Sequence, residues 1–471
     1  MFTSFDVRLH SISIEHLKNV AHGEIRLTNS STLSRANILG LYGQNGSGKT
    51  ALIDALSIFQ FAVANRKLPA EFADQISADS NYSLLSFVFH LSNGTDLYTV
   101  TYECKLRAEK EEDGVGVATS SHVVIFDEVL SYAFENETEK TRKTRIIDTT
   151  CIDIPFAPRS KFKTLTGGGQ KLAMALSFEK GSQQNQSKSF VFSPRLRDIF
   201  KERLNSESID QEERDEINLT IALLDRFRQY ATMELFIVTS QAGNLLGLDT
   251  LVLGFRLNES NRLMSGQLPI GLKTSVIPTA YLSLIRSVLD KVNIVLQEII
   301  PGLTVGIREL DRELTSDNRD GVSIQLVSVR NHKEIPLKYE SEGIKKIISV
   351  LSLFIALYNK RSITVAIDEL DSGIFEYLLG ELLRILAEKG KGQLIFTCHN
   401  LRPLETLSQE FIAFTSTDPE NRYKRLPAIK ATNNLRDVFY REIMVGDDTL
   451  YSRTRNPEIS WAFRKAWEGE S

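Results

Sequence analysis

Eight consecutive residues of the sequence combine glycines, a lysine and a threonine at a spacing that suits a polyphosphate ligand. They match the pattern G-x-x-x-x-G-K-[ST] in full, and they are Gly43, Gln44, Asn45, Gly46, Ser47, Gly48, Lys49 and Thr50. Glycines let successive backbone N–H groups turn inward around phosphate oxygens, and a helix that follows adds its positive end. We expect Lys49 to reach the β- and γ-phosphates of a nucleoside triphosphate and the Thr50 hydroxyl to ligate Mg²⁺.

Two acids and a histidine follow two apolar runs in the C-terminal third of the chain. The runs at 363–367 and 393–397 predict buried parallel strands. Because α/β sheets bind ligands at the carboxyl ends of their strands, we expect Asp368 to hold Mg²⁺ and Glu369 to act as general base on the attacking water. His399 is expected to touch the γ-phosphate. Acids at a strand end are more often only solvated, and a lone histidine is usually structural, but the phosphate-binding loop upstream favours the catalytic interpretation.

The apolar pattern also predicts the elements that position these residues. A strand at 37–42 leads into the glycine-rich loop, and a helical run follows from Thr50. Residues 84–91, 97–103 and 123–126 have the pattern of strands, with turn signals between them. The sequence therefore predicts an α/β fold in which an antiparallel sheet lies beside a parallel one.

Composition limits the class of protein. The chain has 471 residues, a hydrophobic fraction of 42% and a net charge of -4, so any nucleic-acid surface must be a local patch. Three cysteines are too few for a disulfide framework or a zinc cluster and favour a reducing compartment. The sequence has no run near the ~18 apolar residues of a membrane span, and its start lacks the features of a signal peptide. We therefore expect a cytoplasmic protein.

Taken together, these residues resemble an ABC-type ATPase of the SMC-like and OLD-like branch (structural maintenance of chromosomes and overcoming lysogenization defect). The opening run at 12–19 is similar to the first strand of that branch. The resemblance implies that 43–50 is the Walker A loop, that Asp368 and Glu369 are Walker B, and that His399 is the switch histidine. It also implies a head-to-tail dimer in which each ATP lies between the Walker A loop of one subunit and the signature motif of the other.

Two stretches compete for the role of the signature motif. Residues 165–170 look at first like a signature, but they lie far upstream of Asp368 and follow a polar, basic stretch. Residues 341–346 are plainer, but they open an apolar helix shortly before Asp368, where a serine hydroxyl and backbone N–H groups form an anion site. We therefore assign Ser341 and Gly343 to the signature and interpret 165–170 as a flexible glycine turn.

The resemblance implies a division of the chain into four parts. Residues 1–160 form the N-terminal half of the ATPase head, with Walker A and the antiparallel β subdomain. Residues 161–319 are predicted to be a mostly helical insertion. Residues 320–415 form the C-terminal half of the head, and the basic and aromatic tail at 416–471 is predicted to pack on it.

The sequence departs from the family pattern at several points. Phe375 and Glu376 stand where a His-Pro pair is usual, so communication between subunits through this loop is expected to differ. No glutamine of the Q-loop can be placed from the sequence. The stretch between Lys49 and Asp368 is too short for a long SMC arm, and the chain shows neither the acidic cluster of a TOPRIM nuclease nor an HNH layout.

These features favour one function and leave a second open. Stand-alone ATPases without a nuclease of their own resemble the ATPase subunits of two-gene antiphage systems, such as AriA of PARIS and PtuA of Septu. The resemblance implies a homo-oligomeric ATP-hydrolysing sensor and scaffold that controls a separate nuclease effector, with a phage protein as the trigger. The alternative is a DNA-repair or chromosome-processing ATPase that binds duplex DNA through the basic stretches at 140–145, 422–425 and 453–455.

Overall fold

A parallel sheet and an antiparallel sheet, each of six strands, organise the described part of the chain. The computed structural model describes residues 5–27, 36–112, 118–206, 209–239, 250–259, 262–271, 274–315, 318–425, 435–445 and 456–468. The strands are β1 (Asp6–Leu17), β2 (Val20–Arg26), β3 (Asn37–Tyr42), β4 (Ser83–Ser92), β5 (Leu97–Glu112), β6 (Ala118–Glu135), β7 (Thr144–Asp148), β8 (Leu235–Val238), β9 (Thr250–Glu259), β10 (Arg262–Gly271), β11 (Thr274–Pro278), β12 (Thr304–Leu314), β13 (Asp320–Arg330), β14 (Lys333–Pro336), β15 (Thr364–Ile367), β16 (Gln393–Thr397), β17 (Ile412–Thr415) and β18 (Tyr423–Lys424). The α-helices are α1 (Lys49–Val63), α2 (Arg159–Thr166), α3 (Gln170–Asn185), α4 (Pro194–Leu204), α5 (Gln211–Met233), α6 (Leu282–Ile299), α7 (Glu342–Asn359), α8 (Glu376–Lys389), α9 (Pro403–Thr406), α10 (Leu435–Val445) and α11 (Asn456–Glu468).

The parallel sheet brings the predicted site residues to one edge. Its order is β18-β17-β3-β16-β15-β8, and only β18 runs antiparallel to its neighbour. Ile367 of β15 is opposite Phe396 of β16, and Gly40 of β3 is opposite Phe396 from the other side. Since β3, β15 and β16 end side by side, the glycine-rich loop, the predicted Walker B acids and His399 all follow strands at the same edge of the sheet.

Helix α1 fills the space between the two sheets. The antiparallel sheet has the order β2-β1-β4-β5-β6-β7. Phe59 of α1 contacts Phe87 and Phe89 of β4, with ring centroids 5.0 and 4.8 Å apart. A second core cluster covers the other face of the parallel sheet and contains side chains of α6, α7, α8 and β11–β13. Both faces of the parallel strands are thus buried, which explains their uninterrupted apolar sequences.

The stretch at 161–319, predicted as a mostly helical insertion, is not separate from the head. It contains helices α2 to α6, but its strand β8 pairs with β15, with Val238 opposite Ile367. Phe227 of α5 lies against Phe89 in the core, with ring centroids 5.1 Å apart. Its second half holds the hairpin β9–β10 and the strands β11 and β12. The short strand β8 has no periodicity of its own, so its pairing could not be predicted from the sequence.

The tail predicted to pack on the head does so only in part. Tyr423 and Lys424 form β18 against β17, and Phe439 of α10 stacks on Phe414 with ring centroids 4.9 Å apart. In contrast, residues 458–466 of α11 are all exposed. Within the described ranges, no helix has the length and apolar character needed to cross a membrane.

Candidate active site

The glycine-rich loop connects the end of β3 to the start of α1. Gly46 and Gly48 have φ angles of 74° and 94°, which L-amino acids with a side chain rarely adopt. A Cβ atom on Gly48 would lie 2.9 Å from Val20 and 3.0 Å from Arg422. A Cβ on Gly43 would lie 1.8 Å from the Thr415 hydroxyl. Close packing therefore requires glycine at 43 and 48, as the polyphosphate-binding pattern does.

Two residues from the C-terminal strands brace this loop, and sequence reasoning missed both. The Thr415 hydroxyl contacts the Ser47 hydroxyl and donates to the Tyr42 carbonyl at 3.1 Å. The Tyr423 hydroxyl donates to the Gly48 carbonyl at 2.9 Å. These contacts are long-range, and no local pattern at positions 415 or 423 could have revealed them.

The Lys49 ammonium lies over the loop. Its Nζ donates to the carbonyl oxygens of Gly43 at 2.8 Å and of Gln44 at 3.0 Å. Burial lowers the pKa of Lys49, and the carboxylates of Asp368 and Glu369 partly oppose this effect. The Lys49 ammonium is therefore held at the glycine-rich loop, near the carboxylates of Asp368 and Glu369. In this position it can bind a phosphate group.

Asp368, the predicted Walker B aspartate, is held between two hydroxyl groups. Thr50 Oγ1 donates to Asp368 Oδ2 at 3.2 Å, and Thr397 Oγ1 donates to Asp368 Oδ1 at 2.5 Å. Only 3% of the Asp368 surface is exposed. A buried carboxylate in contact with a hydroxyl beside a phosphate loop is the hard oxygen set that Mg²⁺ prefers, so the residues fit this ion. Thr397 is a further site residue that sequence reasoning did not identify.

Glu369 is exposed next to the buried aspartate, and its backbone is in the left-handed region with φ 49°. Its N–H donates to Thr397 Oγ1 at 2.7 Å, and the next N–H, of Leu370, donates to the Thr397 carbonyl at 3.0 Å. A non-glycine residue in this region is strained, and such strain concentrates at functional sites. The turn directs the chain away from the sheet immediately after Asp368.

Asp371 connects this turn to His399, the predicted switch histidine. Its Oδ2 accepts hydrogen bonds from the backbone N–H groups of His399 at 3.0 Å and Asn400 at 2.7 Å. The His399 side chain is exposed. The structure therefore gathers Lys49, Asp368, Glu369 and His399 at one edge of the parallel sheet through direct contacts and strand register.

The proposed signature residues open helix α7 beside the same turn. Ser341 caps the helix, since its hydroxyl accepts from the Ile344 N–H at 3.4 Å. A Cβ atom on Gly343 would lie 2.1 Å from the Gly373 carbonyl oxygen, so the two backbones touch. The competing stretch, 165–170, connects α2 to α3, and its three glycines all have positive φ.

Replacing Gly343 with alanine is expected to lower the unfolding free energy by about 1–3 kcal/mol, because the new methyl group would force the start of α7 away from the Gly373 carbonyl. Thermal unfolding of the full chain would measure the loss. Gly181→Ala in α3 is the matched control, since no atom lies within 4 Å of its Cβ position. Equal melting temperatures for Gly343→Ala and the unchanged chain would contradict the close contact.

Lys346, one turn into α7, is a further cation near the acids. It is partly buried, and burial lowers the pKa of its ammonium, while the nearby carboxylates of Glu369, Asp368 and Asp371 raise it. Lys346 is three residues after Gly343 and therefore lies on the same face of α7. This spacing is the sequence signal that could have identified Lys346 as a site residue. The same three carboxylates therefore oppose the lowering of the pKa by burial at two lysines, Lys49 of α1 and Lys346 of α7.

One family model matches the N-terminal part of the chain. Residues 11–244 match the family model AAA_23, described as an AAA domain. No curated protein matches the chain significantly.

Among the described residues, no group of three or more histidine, cysteine, aspartate or glutamate side chains could hold a metal ion.

Several solved SMC heads are similar to this chain at low sequence identity. An SMC head bound to the C-terminal winged-helix domain of ScpA is 12% identical, with 90% of this chain and 98% of that chain covered and a TM-score of 0.38. The head with an extended coiled coil from Pyrococcus furiosus, bound to the C-terminal domain of ScpA, is 13% identical, with 92% and 100% covered and a TM-score of 0.37. The head domain from Thermotoga maritima is 13% identical, with 89% and 100% covered and a TM-score of 0.34. The chain has a mixed α/β fold with a P-loop between β3 and α1, and the AAA domain matched at residues 11–244 indicates an ATPase.

Proposed function

We propose that this chain binds and hydrolyses ATP at sites shared between two copies, and that it is the sensor and scaffold subunit of a prokaryotic antiphage defence system. The observation that carries the ATPase part is the contact of Thr50 with Asp368 beside an exposed Glu369. This contact joins the phosphate loop to the acids across the sheet. The defence role rests on the resemblance to stand-alone ATPases that control a separate nuclease.

Each residue of the site has a distinct part in the proposed reaction. Lys49 and the loop N–H groups would bind the β- and γ-phosphates, and Thr50 and Asp368 would hold Mg²⁺, which neutralises phosphate charge when bound. Glu369 would accept a proton from the attacking water, and its exposed carboxylate can reach a molecule outside the sheet. His399 would donate to the terminal phosphate from the neighbouring strand.

The proposed second half of each site comes from another copy. Ser341 and the N-terminus of α7 are exposed, so they are accessible to a nucleotide bound by a neighbour. Tyr339, Phe375 and Tyr377 are 71%, 70% and 57% exposed around the signature residues and the turn after Walker B. Large apolar side chains on one exposed face favour burial against another protein surface. This face is our candidate for the head-to-tail contact.

Direct binding of duplex DNA remains the second candidate. Arg142 and Lys143 are exposed on the connection between β6 and β7 and are available for phosphate contacts. The other described basic stretch is less suited to DNA. Arg422 is buried and donates to the Ser416 carbonyl at 2.6 Å, and Arg425 donates to the Arg26 carbonyl at 2.7 Å. These two arginines therefore stabilise the fold.

A co-purification experiment separates the two candidates. Tagged Glu369→Gln protein would be expressed with its native neighbouring genes and captured with ATP and Mg²⁺, with and without nuclease treatment. We expect a stoichiometric protein partner that survives the nuclease. Lys49→Ala is the matched control, since it should fail to hold the ATP-bound assembly. Recovery of DNA alone, lost on nuclease treatment, would reject the scaffold role and favour the DNA-binding ATPase.

A further inference from the structure

Residues 398–402, which follow β16, form a hydrogen-bonded turn that we call the histidine turn. The N–H of Cys398 donates to a carbonyl of β3 at 3.3 Å, and its thiol donates to the Asn400 carbonyl at 3.3 Å. The Asn400 side chain accepts from the N–H of Arg402 at 2.8 Å, just before α9 begins. The His399 side chain is the exposed member of this turn. Its direction is therefore set by the backbone that carries it.

Asp371 supplies the charged contact of the histidine turn. Its Oδ2 accepts from the N–H groups of His399 at 3.0 Å and Asn400 at 2.7 Å. Hydrogen bonds to a carboxylate are stronger than those between neutral groups. Asp371 is partly buried and lies two residues after Glu369, on the turn that follows β15. Its carboxylate thus joins the segments that follow two neighbouring strands of the parallel sheet.

The turn that carries Asp371 is itself fixed in place. The N–H of Leu370 donates to the last carbonyl of β16 at 3.0 Å, and the N–H of Ser372 donates to the Glu369 carbonyl at 3.1 Å. The N–H of Ile374 donates to the Asp371 carbonyl at 3.2 Å. The side chains of Leu370 and Ile374 are buried in the core. A carboxylate on a turn restrained in this way has a fixed position, and it fixes the groups that it binds.

We propose that Asp371 is a positioning residue for ATP hydrolysis, and that its two backbone hydrogen bonds place the His399 imidazole within reach of the terminal phosphate. This inference rests on the proposed function and adds to it a residue that acts through another. A displacement of about 1 Å at a group that contacts the reacting atoms can slow a reaction about 10²-fold. The bonds to the histidine turn are therefore expected to affect the rate of hydrolysis more than the binding of ATP.

Two other roles of Asp371 would use its charge. Burial lowers the pKa of Lys49 and Lys346, and the Asp371 carboxylate is one of those that oppose this effect. Its charge is therefore felt at the glycine-rich loop, and a carboxylate on the same turn as Glu369 could also accept a proton. The contacts favour positioning, because Asp371 Oδ2 already accepts from two N–H groups of the histidine turn.

Two substitutions separate position from charge. Asp371→Asn keeps an oxygen that can accept from both N–H groups but loses the charge, whereas Asp371→Glu keeps the charge and moves the oxygens outward by one methylene. We expect Asp371→Asn to retain kcat within about threefold and Asp371→Glu to lower it about 10- to 100-fold, with unchanged affinity for ATP in both. The matched control is Asp290→Glu, on the exposed face of α6, which should change neither quantity. An unchanged rate in Asp371→Glu, or an equal loss in Asp371→Asn, would overturn the positioning role.

The variant His399→Ala shows whether Asp371 acts through the histidine. Once the imidazole is absent, its placement no longer matters. The double variant Asp371→Glu/His399→Ala should therefore hydrolyse ATP within about twofold of the rate of His399→Ala alone. If the losses of the two single variants multiply instead, Asp371 acts on the reaction by another route, and the proposal is wrong.

Cys398 offers a measurement that does not depend on hydrolysis. Burial raises the pKa of its thiol, and the nearby Asp371 carboxylate raises it further, so the thiol is protonated and unreactive while the histidine turn is closed. Asp371→Glu would be combined with Cys151→Ser, because Cys104 is buried and Cys151 is not. We expect iodoacetamide to label Cys398 at least about tenfold faster in this chain than in Cys151→Ser alone, since the turn opens more often. An equal rate would show that Asp371 does not hold the turn.

Labelling and hydrolysis together separate this inference from the proposed function. If the unchanged chain does not hydrolyse ATP, the proposed function fails and the positioning role fails with it, whatever the labelling shows. If the unchanged chain hydrolyses ATP and Asp371→Glu does so equally fast, the proposed function stands and the positioning role alone is overturned. Faster labelling together with a lower kcat in Asp371→Glu supports both.

Discussion

Replacing Lys49 with alanine is expected to abolish measurable ATP binding, with affinity lowered at least about a hundredfold. The Lys49 ammonium lies over the phosphate loop, where it donates to the Gly43 and Gln44 carbonyls. Loss of a charge-assisted phosphate contact of this kind removes several hydrogen bonds at once. Titration with a fluorescent ATP analogue in the presence of Mg²⁺ would measure the change.

Lys67→Ala is the matched control for Lys49→Ala. Lys67 is exposed beyond the end of α1, and its removal should leave the affinity unchanged. Retention of wild-type affinity by Lys49→Ala would show that the loop does not bind the phosphates as proposed.

Replacing Glu369 with glutamine should keep ATP binding but reduce the rate of hydrolysis by about 10²- to 10⁴-fold. Glutamine has the shape of glutamate and can keep the left-handed backbone at φ 49°, but its amide cannot accept the proton of the attacking water. Because hydrolysis is blocked after binding, the ATP-bound assembly should accumulate. Release of phosphate in steady state and the size of the assembly by light scattering would measure the two effects.

The control for Glu369→Gln is Glu376→Gln, an exposed acid in the first turn of α8. It should hydrolyse ATP at the wild-type rate. If Glu369→Gln did the same, the general base would have to be another residue, and Asp371, on the same turn, would be the first to examine.

The site residues could be predicted because each stands at the end of a buried parallel strand. The predicted strand at 37–42 coincides with β3, and the predicted run at 393–397 coincides with β16. Burial on both faces makes such strands uninterrupted apolar runs, which are easy to detect. The acids, the histidine and the glycine-rich loop then follow directly along the chain. The division of the chain and the roles of these residues in catalysis stay predictions.

The parts that could not be predicted depend on contacts between distant segments. Thr397, Thr415 and Tyr423 act on the site through hydroxyl groups that no motif contains. The sequence of the basic stretch at 422–425 predicts a candidate DNA surface, but burial of Arg422 against backbone carbonyls gives this residue a structural role. Composition alone cannot distinguish an arginine that faces solvent from one that donates hydrogen bonds to backbone carbonyls.

The bracing of the phosphate loop has a consequence for the order of events during synthesis. The hydroxyl groups of Ser47 and Thr415, which touch in the folded chain, are 368 residues apart in sequence. A nascent chain that has exposed the complete glycine-rich motif still lacks β17 and β18, so its loop has no support from either strand. We infer that nucleotide binding begins only when nearly the whole chain has left the ribosome. A shortened product that ends before 415 would carry the full motif without the support that shapes it.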